Sequence, residues 1–235
     1  MIIFYAPDVV RKNTLSEEES AHAVKVLRVK PGDEIYLVDG KGGFFRSRIT
    51  MPHQKKCEFE VIEQLENPDK RNYRIHIAIA PTKNIDRFEW FIEKAVEIGV
   101  DRITPVITRY SERKIIKPER LEKIIISASK QSLKAGFTVL DSLCGFGEFV
   151  EKCCATQQFI AHCYSGSEKK QLQSVYQKDK DAIVLIGPEG DFSNEEVETA
   201  INQYRYLPVS LGESRLRTET AGIIACATAA FVNQQ

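Results

Sequence analysis

Three short stretches hold the residue types best suited to chemistry. "GPEGDFS", residues 187–193, follows an apolar run, and its Gly187 and Gly190 permit backbone conformations closed to other residues. A triphosphate cradle would place a lysine there, whereas this loop carries Glu189, and neither GxxxxGK[ST] nor GxGxxG occurs in the chain. An acid beside a helix start instead suits a cationic or neutral ligand. "LGESRLRTET", residues 211–220, supplies Arg215 and Arg217 two apart, then a Thr218, Glu219, Thr220 cluster able to cap the final helix while projecting a carboxylate and hydroxyls. "HCYSGS", residues 162–167, is the third such loop. A fourth stretch, "TRYSERKIIKPER" at residues 108–120, interleaves Arg and Lys with hydroxyl donors, a composition that suits phosphate contact as well as a solvated helix face.

The first three stretches each follow an apolar strand-like run, and in parallel α/β sheets ligands bind at the carboxyl ends of strands. The elements must therefore alternate, and they do. From "YRIHIAIA" through "RFEWFIEKAVEIG", "RITPVIT", "PERLEKIIISASKQSL", "TVLDSL", "QFIAHCY", "AIVLIG", "NEEVETAIN" and "YLPVSLG" to "ETAGIIACATAAFV", strand-like and helical patterns succeed one another. The predicted fold class is α/β with a mainly parallel sheet. Gly99 and Pro118 mark a helix end and a helix start, and Ser193 with Glu196 has capping-box spacing. The final helix is rich in small residues, which suits close packing in the core or a tight dimer interface.

Upstream of the turn-rich "ENPDKRN" at residues 66–72 the rhythm differs. "EIYLVDG", "FFRSRIT" and "CEFEVIEQ" read as short alternating strands, which makes a small β-rich module. Its one evident helix is "SEEESAHAVKVLRV", with Ser16 and Glu19 at capping-box spacing, Ala23, Val26 and Leu27 on one face and Arg28 near its end.

The 235 residues are enough for two modest domains, and the formal net charge of zero argues against wholesale non-specific nucleic-acid binding. Charge is nevertheless segregated: residues 102–134 hold nine Lys and Arg against three acids, and residues 181–200 hold six acids and no base. The six cysteines show no CxxC pair or Cys/His cluster at metal spacing, which predicts buried thiols and no metal. The longest apolar run near the end is too short to span a bilayer, so the reading is of a soluble, cytoplasmic, unprocessed chain without membrane contact.

"LIGPEGDFSNEEVE" with "LGESRLRTETAGIIACATAA", preceded by "EKAVEIGVDRITPVITRYSER", "ASKQSLKAG" and "HAVKVLRVKPGD", resembles the RsmE family of ribosomal RNA small-subunit methyltransferases. The resemblance implies a SPOUT-class α/β methyltransferase domain with a carboxy-terminal trefoil knot over residues 69–235, preceded by a PUA-like RNA-binding β-barrel over residues 1–68. It implies a homodimer that uses S-adenosylmethionine (SAM), releases S-adenosylhomocysteine and needs no metal. Its target would be N3 of a uridine in the decoding region of 16S rRNA, within the 30S subunit. Other RNA positions, or a catalytically silent RNA-binding assembly factor, are the alternative readings.

Carried onto this chain, the resemblance assigns the cofactor to His162, Ile186, Gly187, Pro188, Glu189, Gly190, Leu211, Gly212, Leu216, Arg217 and Thr220. Arg217 would support charge on a uracil carbonyl and Glu219 would accept the proton, unless Glu219 only caps its helix. Arg28, Arg109, Arg113 and Lys114 would meet RNA phosphates. His22 reads as a structural helix-face residue. Departures from the family pattern are Ser214 and Arg215 for an Arg and an aliphatic residue, Asp191 for a third glycine, and Lys130 and Lys134 for the Glu and Arg of an "EQSxR" motif.

Overall fold

The computed structural model describes residues 1–164 and 168–234, and the chain folds as two units. The first comprises Met1–Lys70 and Ile126–Phe137, the second Arg71–Ile125 and Thr138–Gln235.

In the first unit, β1 (Ile3–Tyr5), β2 (Glu34–Val38), β3 (Phe44–Met51) and β4 (Glu58–Leu65) form a four-stranded sheet in that order. The β1–β2 pair is parallel and the others antiparallel, with Phe4, Ile35, Leu37, Ile49 and Phe59 buried at its core. Helix α1 (Glu17–Ala21) starts on Ser16, whose hydroxyl accepts from Glu19 N–H at 3.2 Å. The reciprocal half of the expected capping box is replaced, because the buried Glu19 carboxylate accepts from Lys130 Nζ at 2.6 Å and from Tyr5 N–H at 3.4 Å. The helix then widens into a π-helical turn, His22–Val26. That extra residue per turn rotates the expected apolar face: Ala23 stays buried while Val26 and Leu27 emerge at 66% and 37% exposure.

Residues 126–137 belong to this unit for specific reasons. Lys130 pairs with Glu19, Lys134 with Asp69 at 3.2 Å, Gly136 bridges to Gly40, and Phe137 packs on Tyr5 with ring centroids 4.9 Å apart. The two lysines that depart from the family pattern are thus both in ion pairs.

The second unit alternates as expected: β5 (Ile75–Ile79), α2 (Ile85–Ile98), β6 (Arg102–Ile107), the first part of α3 (Pro118–Gln131), whose residues from 126 onward belong to the first unit, then β7 (Val139–Leu140), β8 (Cys144–Gly145), α4 (Phe146–Lys152) and β9 (Gln157–Ala161). Then come β10 (Lys170–Gln171), α5 (Leu172–Val175), β11 (Ala182–Ile186), α6 (Asn194–Asn202), β12 (Leu207–Ser210) and α7 (Thr218–Gln234). Among the described residues the sheet has eight strands, ordered β10-β12-β9-β11-β5-β6-β7 with β8 beside β6, and its pairings are parallel. Strand β11 is buried throughout, as a central parallel strand covered on both faces must be. Gly99 closes α2 in the left-handed conformation, φ 106°, and Ser193 with Glu196 forms the full capping box on α6.

The small residues of α7 serve the packing of α7 on α2. At Gly222 a Cβ would lie 2.5 Å from Phe91 Cε2 and 3.0 Å from Ile79 Cδ1, while Ala225, Cys226 and Ala229 are fully buried. Gly222→Ala should therefore destabilise the protein by about 1–3 kcal/mol through overpacking. Adding Phe91→Leu should recover part of the loss in denaturant titrations, and strict additivity of the two changes would refute the contact.

At the amino ends of β5 and β6, Thr104 accepts from His76 Nε2 at 2.7 Å and donates to Asp141, whose other oxygen holds Arg102 at 2.9 Å. Burial lowers the His76 pKa from 6.5 to about 4, against the attraction of Asp141. The folded state therefore favours the neutral ring. Its contribution is complete above pH 6.5 and disappears as pH falls through about 4. That interval corresponds to roughly 3 kcal/mol. Unfolding free energy measured across it should decline by that order in the native chain and more gently in His76→Gln.

Candidate active site

Strands β12, β9 and β11 are neighbours, and their carboxyl ends lie level: Val209 pairs with Ala161, and Ala161 with Ile186. The three loops that leave them enclose a cavity of about 780 Å³. Ala161, Ile186 and Val209 contribute to its wall at the strand ends. Of the expected cofactor residues, His162, Ile186, Gly187, Pro188, Glu189, Gly190, Leu211, Gly212, Leu216 and Arg217 all border it. Residues 165–167 of the first loop lie outside the described residues.

The loops are held by carboxylates. Asp191 sits at φ 65°, a left-handed conformation that glycine favours and aspartate tolerates, so the departure from glycine keeps the backbone path. It adds a function of its own: one Asp191 oxygen accepts from Cys163 N–H at 2.7 Å and the other from Phe192 N–H at 2.8 Å, which ties the first loop to the second. Glu189 Oε1 accepts from Lys83 N–H at 3.0 Å, so this acid braces the loop against the segment before α2 while it lines the cavity. At Gly190 a Cβ would come within 2.9 Å of Tyr110 Cβ, a contact only glycine admits. Gly212, φ 137°, would have nothing within 4 Å of an added Cβ, and its own N–H and carbonyl are both bonded to Ser210 Oγ, at 3.3 and 2.9 Å.

His162 is buried, and burial followed by the nearby Lys169 lowers its pKa, so the ring is neutral over a wider range. Lys169 Nζ donates to His162 O at 3.0 Å and Tyr164 O at 2.8 Å. No sequence signal singled out Lys169.

The start of α7 separates the remaining candidates, Glu219 and Thr220, from the cavity wall. Thr218 and Ala221, three apart and hence on one face, border the cavity. Glu219 and Thr220 do not, because successive helix residues turn about 100° away from that face. Glu219 is buried with Oε1 3.8 Å from Arg87 Nε, and its Oε2 has no hydrogen-bond partner among the described residues. Arg217 is exposed at the cavity edge, and its guanidinium has no partner among the described residues.

The expected RNA contacts fare unequally. Arg28 is exposed at φ 54°, closing the π-helical turn. Lys114 is exposed, and Arg109 is exposed while its backbone N–H donates to Glu196 at 2.9 Å. Arg113 is half-buried, and its guanidinium is committed to Thr82 O at 3.0 Å and Lys83 O at 2.6 Å. Among the described residues no group of three or more metal-capable side chains occurs and no helix is long and apolar enough to cross a membrane; the six cysteines are free, but against expectation only Cys57 and Cys226 are buried, while Cys154 and Cys163 are exposed.

Residues 69–230 match the model of the RNA methyltransferase domain, and residues 15–62 that of the RNA methyltransferase PUA domain. The ribosomal RNA small subunit methyltransferase E of Buchnera aphidicola subsp. Schizaphis graminum is 30% identical over 92% of this chain and 88% of its own. The chain belongs to the RsmE family of RNA methyltransferases. Among solved structures, a "probable rRNA-methyltransferase" of Porphyromonas gingivalis is 42% identical, with TM-score 0.94 over 100% of this chain and 99% of that one. The family member from Neisseria gonorrhoeae, bound to S-adenosyl methionine, is 26% identical, with TM-score 0.82 over 97% and 96%.

The cavity of this chain fits such a molecule. Its volume lies within the range of small-molecule sites. Glu189 and Asp191 place negative charge where a sulfonium and an ammonium would be tolerated. Replacing Glu189 by Ala removes the acceptor of the Lys83 amide. Hydrogen exchange should then rise at Lys83 and across residues 187–190, and unchanged protection would show that the brace is dispensable.

Proposed function

We propose that this protein is a SAM-dependent methyltransferase that modifies N3 of a uridine in the decoding region of 16S rRNA, acting on the small ribosomal subunit in the cytoplasm. The observation that carries the reading is the cavity itself: three strand-end loops converge on one space, in a chain whose relative binds SAM through the same fold. When bound, SAM would supply the electrophilic methyl group. This chain's residues would do the rest.

Residues 187–190 and 211–216 would hold the donor from either side, with His162 as the remaining wall. N3 of uridine is nucleophilic only after it loses its proton, so the site must stabilise the resulting anion. Arg217, charged and without a partner among the described residues at the cavity edge, is placed to support charge on a uracil carbonyl, and alignment of N3 with the methyl group supplies much of the remaining acceleration. Glu219 lies off the cavity wall, and its buried carboxylate complements the first turn of α7 and faces Arg87. Its role in this reading is to position that turn and with it Arg217.

The finer architecture is part of the proposal. Strand β12 enters the sheet between β9 and β10, after β10 and β11 have been laid down, which supports a trefoil-knotted path for residues 69–235. The β-rich first unit, with residues 1–68 as its core, serves as a PUA-like barrel that grips RNA through Arg28, and Arg109 and Lys114 neutralise phosphates. A homodimer completes the assembly.

Incubation with SAM and 30S subunits from a strain lacking the modification, followed by nucleoside mass spectrometry, should reveal N3-methyluridine. Ribose-methylated products would redirect the assignment to another RNA position, and no methylation at all would leave an RNA-binding assembly factor. Arg217→Ala should lower transfer by at least about 100-fold, the scale of losing one transition-state donor. Calorimetry should find its SAM affinity largely intact, and surviving turnover would remove Arg217 from the chemistry.

A further inference from the structure

Lys83 stands between two concavities of the second unit. Its N–H donates to Glu189, which lines the large cavity, and its carbonyl accepts from Arg113, which lines a smaller one of about 210 Å³. This second pocket lies between the first turn of α2 and residues 113–121. Ile85, Ile116 and Leu121 give it apolar walls, and Ile115 stands at its side with 78% exposure.

Its cations are of a particular kind. Arg113 donates through Nε and Nη2 to two neutral carbonyls, so its plane is fixed while its charge is uncompensated. Arg120 is gripped by both oxygens of Glu89 at 2.6 Å each, which fixes a second guanidinium plane. The Lys117 carbonyl accepts from Arg120 and Leu121 N–H, while its ammonium has no partner among the described residues. Apolar walls, two immobilised guanidinium planes and unneutralised positive charge make a stacking platform for a base with its phosphate at the rim. The volume suits one nucleobase and excludes a ligand the size of that in the large cavity.

We propose that this pocket takes an unstacked nucleobase of the RNA strand beside the nucleotide being methylated, with Arg113 and Lys117 on its flanking phosphate. The proposal rests on the RNA-methylating reading. It makes Lys83 the partition between the large cavity and the neighbouring base, and it gives Arg113 a role that its hydrogen bonds to carbonyls support rather than prevent.

The test compares the wild-type chain with Ile115→Asp and Lys117→Ala, both changes at exposed side chains that leave the core intact. Fluorescence anisotropy would follow a single-stranded oligonucleotide spanning the target, and steady-state kinetics would use 30S subunits. Each variant should weaken RNA binding and raise KM for RNA roughly tenfold, the scale of losing one stacked base or its anchor, with kcat and KM for SAM unchanged. Lys117→Ala should also reduce the salt slope of binding by about 0.7. An abasic site at the correct flanking position should abolish the difference between wild type and Ile115→Asp.

Unchanged RNA affinity and KM in both variants would overturn the pocket. Sedimentation showing a smaller species, with RNA affinity retained, would assign this face to a second copy of the chain and equally overturn it. A wild-type protein that binds RNA but transfers no methyl group would defeat the functional reading, while the affinity comparison still decides the pocket.

Discussion

The level carboxyl ends of β12, β9 and β11 are the constraint on which the site depends. Parallel pairing sets Val209, Ala161 and Ile186 in one row, and each strand then releases its chain into the same space. A slip of one residue in either pairing would turn every side chain of that strand to the other face of the sheet and bring one loop out of step with its neighbours. The register is protected by burial, since β11 has no exposed position and Val209 and Ile160 are fully buried.

Above that row, order in the loops comes from a few polar contacts rather than from apolar packing. Asp191 ties the first loop to the second, Glu189 ties the second to Lys83, and Arg113 ties Lys83 to the basic segment. Gly190 lets Tyr110 of that same segment approach the loop. The surface suited to phosphate and the wall suited to the methyl donor are therefore joined through a short chain of hydrogen bonds. Three of the six acids of residues 181–200 are explained by this arrangement: Glu189, Asp191 and Glu196 each accept from a backbone N–H of another segment or of their own loop.

Several features were legible in the residues because their causes are local. The alternation of strands and helices follows from apolar periodicity, Gly99 ends α2 because a left-handed residue was required there, and Ser193 with Glu196 caps α6 through side chains three residues apart. Other features were not, because their causes lie far along the chain. The half-used capping box at Ser16 reflects the pull of Lys130 on Glu19, 111 residues away. The exposure of Val26 and Leu27 follows from a π-helical turn that no periodicity announces. That Thr218 and Ala221, rather than the expected Glu219 and Thr220, border the cavity depends on which face α7 presents.

The sequence by itself determined the alternating α/β class, the three strand-end loops as the place for a ligand, and the separation of acidic from basic segments, since each depends on residues near one another in the chain. Only the tertiary structure decided that Glu189 braces a loop as well as lining a cavity, that Asp191 takes over a glycine conformation and makes a staple of it, and that residues 126–137 belong with the first unit. It also decided that Arg113 works through backbone carbonyls and that Glu219 faces Arg87 rather than the cavity. The physical reason is common to all of these. A charged side chain takes the partner that folding brings to it, and pairings across tens of residues leave no periodic trace in the sequence.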